Sequence, residues 1–134
     1  MERRATITIH GSDAAYTARG VWARTAEGWR LAYDEPAELE LGAVTTALTL
    51  SEGLAVLTRT GAVRSEFRFT EGTPHTSVYE TPHGSFPVEV VTHALRAKLG
   101  ERGGLVELRY TLTIGGAADE HRLKILIRTE GNNA

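Results

Sequence analysis

Cysteine is absent from this 134-residue chain. Its absence excludes disulfides, thiol nucleophiles and zinc–thiolate centres, and it fits a reducing compartment. Lysine is nearly absent as well: of 15 basic residues only Lys98 and Lys124 are lysines. The arginines are spread along the chain, and the formal net charge is −2. That balance gives no electrostatic case for DNA, RNA or an anionic membrane as the main partner. No run approaches the ~18 apolar residues of a membrane-spanning helix. The stretch from Met1 to Ile9 is basic but lacks the apolar segment of roughly 7–15 residues that a secretory signal needs. The expectation is a soluble cytoplasmic protein. It forms one domain, residues 1–134, because a second core in so short a chain would be too small to hold.

What the chain does have is alternation. Ile7 and Ile9 alternate with threonines, which reads as a half-buried strand of period two. A second strand runs from about Ala15 to Thr25. Glu27-Gly28 reads as a two-residue hairpin loop that sets Ala26 opposite Trp29 and puts Trp22 on the face of Leu31 and Tyr33. Asp34 to Gly42 is an acidic connection, and Leu39 and Leu41 extend the next strand backwards. Val44, Thr46, Leu48 and Leu50 share one face. The Glu52-Gly53 loop pairs Leu50 with Ala55, Leu48 with Leu57 and Thr46 with Arg59, which carries an arginine onto the apolar face.

The next turn is argued from its consequences. A two-residue loop at Thr60-Gly61 would set Arg64 and Glu66 among Leu57 and Ala55. A three-residue loop, Thr60-Gly61-Ala62, pairs Arg59 with Val63, Leu57 with Ser65 and Ala55 with Phe67. Val63, Phe67 and Phe69 then face inward, and Arg64, Glu66 and Arg68 outward. Thr76 to Thr81 is a strand, closed by the turn Thr81-Pro82-His83-Gly84. Tyr79 then faces Phe86, and Phe86, Val88 and Val90 continue the inner face to about Ala94. Arg96 to Gly104 reads as a polar connection. Val106 to Ile114 and Leu123 to Ile127 are the last strands, turned at Gly115-Gly116.

About ten short antiparallel strands, each with one apolar face, must bury that face and hide their edges. A single up-and-down β-barrel does both, with a sandwich as the alternative. At this point the residues become familiar. Arg59-Thr-Gly61-Ala-Val63, Phe69, Gly72 and Tyr79-x-Thr81-Pro82-x-Gly84 resemble the YwiB-like family of bacterial proteins. The likeness extends to Gly20, Tyr33-Asp-Glu35 and Ser51-Glu-Gly53, and so spans nearly the whole chain. It implies an all-β, calycin-like, lipocalin-type barrel. It implies no activity and supplies no catalytic residues.

Chemistry-bearing patterns are sparse. His10, His75, His83, His93 and His121 show no paired metal-ligand spacing. There is no Gly-x-Ser-x-Gly elbow and no glycine loop leading into a helix. Glu35, Glu38 and Glu40 read as a solvated loop. No catalytic residue, metal or cofactor is therefore assigned, and a hydrolase or isomerase at the barrel rim is the weakest reading. The polar residues left on the inner face are Thr46, Arg59, Ser65, Tyr79, Thr81 and Tyr110. The expectation is that Arg59 and Tyr79 orient the anionic end of a small, partly apolar ligand inside the barrel. The bland alternative for Arg59 is a structural ion pair, with Glu38 or Glu40 as partner. The alternative for the molecule is a barrel filled by its own side chains that meets a protein or RNA partner through its surface. Oligomeric state is left open.

Overall fold

A computed structural model of the chain describes residues 2–12, 15–35 and 43–130. Ten strands run in order: β1 Glu2–Gly11, β2 Ala15–Arg24, β3 Gly28–Asp34, β4 Val44–Ser51, β5 Leu54–Gly61, β6 Ser65–Phe69, β7 His75–Thr81, β8 Gly84–Gly100, β9 Gly103–Ile114 and β10 Ala117–Thr129. The named pairs are all antiparallel, and they form one sheet in the order β6-β5-β4-β3-β2-β1-β10-β9-β8-β7. The chain is thus a meander whose first and last strands pair. Among the described residues no helix is long and apolar enough to cross a membrane.

The sheet closes at a seam between β6 and β7. Arg64 and Glu80 exchange both backbone hydrogen bonds there, at 2.9 and 2.8 Å, and the two strands share no longer ladder. The link between them is tied to β8 by Gly72 N–H on Thr92 O, 3.2 Å, and by the amide of Leu95 on the Glu71 carboxylate, 2.7 Å. The barrel is nearly closed, which leaves little exposed edge.

Alternation places the side chains as the sequence predicts. Leu48, Leu50, Leu57, Phe67, Phe69, Val88, Leu108, Ile125 and Ile127 are buried, with Tyr110 and Leu112 half-buried. Arg64, Arg68, Glu89, Arg109 and Lys124 are exposed. Trp22, Phe69, Ile7, Leu31, Leu48, Ile125, Val90 and Val106 seal the middle of the barrel, each contributing about 1.5–3 kcal/mol if wholly removed from water. Trp22 keeps its indole N–H satisfied on Gly100 O at 2.9 Å, as a buried tryptophan must.

Register differs from expectation at two turns. The β2–β3 turn is longer than two residues, so Arg24, and not Ala26, lies opposite Trp29. The β5–β6 turn runs from Thr60 to Arg64, so Ser65 faces Arg59, Phe67 faces Leu57 and Phe69 faces Ala55. Both differences are slips of two residues, which keep every side chain on its face. Gly61 sits at φ 119°, and a Cβ there would lie 2.1 Å from Ala43 O, which is why this turn needs glycine. The β4–β5 and β7–β8 hairpins have the predicted registers, with Leu48 opposite Leu57 and Tyr79 opposite Phe86.

Two expectations fail on β8. Arg96 to Gly100 is not a connection but the end of a 17-residue strand. Register shifts by one residue between Thr92 and Ala94, so His93 is an extra, exposed residue on β8. This bulge reverses the phase. Val88, Val90 and Thr92 face inward before it; Leu95, Ala97 and Leu99 pair with Leu108, Val106 and Gly104 after it. Phe86, expected to bury on the inner face, lies opposite Tyr79 near the β7–β8 turn and is 39% exposed. The proposed backward extension at Leu39 and Leu41, and Asp13 in the first turn, lie outside the described residues.

Candidate functional site

The site is built from one row of cross-strand neighbours. Gly20, Tyr33, Thr46, Arg59 and Ser65 are successive partners on β2, β3, β4, β5 and β6. The row reaches the seam at Arg64–Glu80, beside Tyr79. Gly20 opens it: a Cβ there would lie 2.2 Å from Ala32 O and 2.8 Å from Tyr33 Cβ, so β3 approaches β2 more closely than any side chain allows.

At the centre stands Glu35, just past β3 and 8% exposed. Its Oε1 accepts from the Thr46 hydroxyl at 2.6 Å and its Oε2 from the Tyr16 hydroxyl at 2.8 Å. Arg59 Nε lies 3.5 Å from Oε1. The Tyr33 hydroxyl lies 3.4 Å from that of Tyr16, and the two share a hydrogen bond. Two hydrogen bonds and a guanidinium compensate a carboxylate that would otherwise be costly to bury. Among the described residues the buried Arg59 Nε has no hydrogen-bond partner, so Glu35 balances its charge without a hydrogen bond to Nε. Burial, the nearby Tyr33 and then Glu35 push the Tyr16 phenol far above its ordinary pKa. Burial also raises Tyr33, against smaller lowering effects of the Tyr16 hydrogen bond and of Arg59.

Beside this network the barrel mouth holds a cavity of about 230 Å³. Apolar walls come from Ile9, Leu57, Phe67, Leu112 and Ile125, and polar ones from Tyr16, Tyr33, Arg59, Tyr110, His121 and Arg122. Tyr110 meets Phe69 edge-on, centroids 4.9 Å apart, and stacks on His121 at 5.5 Å. No carboxylate belongs to the lining among the described residues. No group of three or more potential metal ligands occurs among them either.

Of the residues singled out from the sequence, Arg59 and Tyr110 line the cavity. Thr46 and Ser65 are buried on either side of Arg59 in the row. Tyr79 packs against the core at the seam and is absent from the cavity wall. Thr81 is occupied in its own turn: its hydroxyl donates to Gly84 O at 3.1 Å and accepts from the His83 amide at 3.1 Å. The phenols beside Arg59 are thus Tyr16 and Tyr33. Glu38 and Glu40, the expected ion-pair partners, lie outside the described residues, and Glu35 holds that role. The signal for Glu35 was present in the sequence: Leu31, Tyr33 and Glu35 continue one inward phase.

The family model described as a domain of unknown function, DUF1934, matches residues 4–125. The chain belongs to this family. It is 31% identical over 94 residues to the uncharacterized beta-barrel protein YwiB of Bacillus subtilis (strain 168), across 70% of this chain and 66% of that protein. The match therefore spans just under two thirds of the relative. The crystal structure of the ywiB protein from Bacillus subtilis superposes with a TM-score of 0.86, covering 97% of this chain and 94% of that one at 22% identity. At that identity the likeness shows the fold, and family membership brings no activity with it.

Proposed function

We propose that the barrel binds a small, partly apolar anion in its mouth cavity. One observation carries the reading: the cavity has apolar walls, its charged lining residues are Arg59 and Arg122, and no described carboxylate faces it. A guanidinium against a wall that excludes water forms strong charge-assisted bonds with a carboxylate or phosphate oxygen. Glu35 holds Arg59 from the Nε side and so orients it before a ligand arrives. The cavity takes about eight waters' worth of volume, below the ~300 Å³ at which drug-sized pockets begin. The ligand is accordingly of the size of a short-chain or single-ring carboxylate. The lipocalin-type use of a barrel interior and a cytoplasmic location belong to this same reading.

The test has two parts. Native mass spectrometry of the purified protein looks for a co-purified small anion, and hexanoate and benzoate are titrated by NMR. Both probes are expected to shift Leu57, Leu112 and His121. Arg59→Met is expected to abolish these shifts, and so is Leu112→Phe, which fills the mouth without touching the Arg59–Glu35 pair. Binding unchanged in both variants, or no shift from either probe, overturns the proposal. The latter result favours a surface role, for which Val78 at 51% exposure and Phe86 near the β7–β8 tip are the apolar anchors.

A further inference from the structure

One patch on the outer face of β1, β10, β9 and β8 carries an excess of positive charge that the net charge conceals. Its cross-strand rows follow from the register. His10, Lys124, Glu107 and Arg96 are successive partners, and beside them run Arg122, Arg109 and Ala94. These residues line a dish of about 630 Å³ whose ionisable groups, among the described residues, are His10, Arg96, Arg109, Arg122, Lys124 and one carboxylate, Glu107. Glu120 reaches Arg109 from the side at 3.4 Å. The net charge of the whole chain is −2, so this patch is of the opposite sign to the molecule that carries it.

Arg122 and Arg109 lie directly opposite each other across an antiparallel pair. Like charges so placed repel and destabilise the pairing. One carboxylate stands between Lys124 and Arg96, and one takes a single nitrogen of Arg109. The floor permits an approach: Ala94, just past the His93 bulge, faces Arg109 with only a methyl group. A bulge adds local bend and twist to its strand, and the dish lies beside this one.

We propose that this face is a second binding site, next to the mouth cavity and sharing Arg122 with its rim, for a small molecule bearing two phosphate groups. Three guanidiniums offer planar donor forks matched to phosphate oxygens, and Lys124 adds a point charge. A single phosphate meets too few of these cations to compensate the Arg122–Arg109 opposition. A diphosphate spans both rows. The dish holds about twenty waters' worth of volume, enough for a diphosphate with an organic group attached.

The experiment is calorimetric titration at low salt with inorganic pyrophosphate, inorganic phosphate, ADP and a single-stranded oligonucleotide. Pyrophosphate and ADP are expected to bind, and inorganic phosphate at least tenfold more weakly. Tighter binding of ADP than of pyrophosphate identifies an organic diphosphate as the ligand; equal binding identifies the free diphosphate. Arg96→Gln/Arg109→Gln, which leaves the mouth cavity untouched, is expected to weaken pyrophosphate at least about tenfold, as loss of charge-assisted bonds does. Arg59→Met is expected to leave it unchanged, which separates this site from the mouth. Pyrophosphate that fails to bind, or binds the double variant as it binds the wild type, overturns the proposal. So does an oligonucleotide that binds where pyrophosphate and ADP do not, because that result makes the face a nucleic-acid surface.

Discussion

Glu35 decides how Arg59 behaves. Its side chain is 1% exposed, whereas that of Arg59 is 30% exposed, so the cost of breaking the pair falls unequally. Glu35→Gln leaves Arg59 without its counter-charge but with partial access to water, and it weakens the bonds from Tyr16 and Thr46. The expected loss is about 1–3 kcal/mol in urea unfolding. Arg59→Met strands a buried carboxylate, which Tyr16 and Thr46 still partly satisfy. A double-mutant cycle with Glu35→Gln then shows a coupling well above the ~0–1 kcal/mol of an exposed pair. A coupling near zero would mean that the 3.5 Å approach carries no interaction.

The phenols of Tyr16 and Tyr33 set the alkaline limit. Both have folded pKa values raised above the ordinary ~10. The unfolded chain therefore loses these protons first as pH rises. Their contribution is complete below about pH 10 and declines above it. Urea midpoints are expected to fall as pH rises above about 10, and Tyr33→Phe should fall less. In NMR of ring-labelled protein, the Tyr16 and Tyr33 Cζ signals should stay at the phenol position until the protein unfolds. A Cζ signal of either moving to the phenolate position in folded protein at about pH 10 would contradict the assignment.

At the scale of elements, β8 is where local pattern and tertiary pairing part company. Its first half alternates on even numbers and its second half on odd ones, with His93 as the extra residue. Deleting His93 would set Ala94 directly after Thr92 and restore strict alternation, so Leu95 and Leu99 would keep their side and their partners Leu108 and Gly104, and only the bend and twist of the bulge would be lost. The deletion is expected to keep cooperative thermal unfolding at a cost of no more than about 1–3 kcal/mol, and His93→Ala, which keeps the bulge, to change stability by less than about 1 kcal/mol. Loss of cooperative unfolding on deletion would show that closure of the barrel depends on the bend at His93.

The whole molecule is held unevenly. The ladders on either side of the seam are continuous, while β6 and β7 meet through the single Arg64–Glu80 pair. Glu80 points its amide at β6, so by alternation Thr76 and Val78 do the same. Neither has a ladder partner there. Hydrogen exchange should therefore be faster at Thr76 and Val78 than at Ser77 and Tyr79, whose amides face β8. Uniform protection along β7 would mean that the barrel closes more fully than this pairing describes.

The faces of the strands were legible in the sequence because alternation is local: a residue's side is fixed by its neighbours in the chain. Val63, Phe67, Phe69 and the arginines between them are on the sides their pattern predicts, and Arg59 is on the inner face for the same reason. Turn length was less legible. Slips of two residues at the β2–β3 and β5–β6 turns leave every face unchanged, so the pattern cannot distinguish the registers. The bulge at His93 was hidden because an added residue looks, in one dimension, like the end of a strand. Only the tertiary structure chose Glu35 as the partner of Arg59 and put Tyr16 and Tyr33 beside it in place of Tyr79. Those contacts join β2, β3 and β5 across a closed barrel, and closure is a property of ten strands paired together that no short stretch of the chain contains.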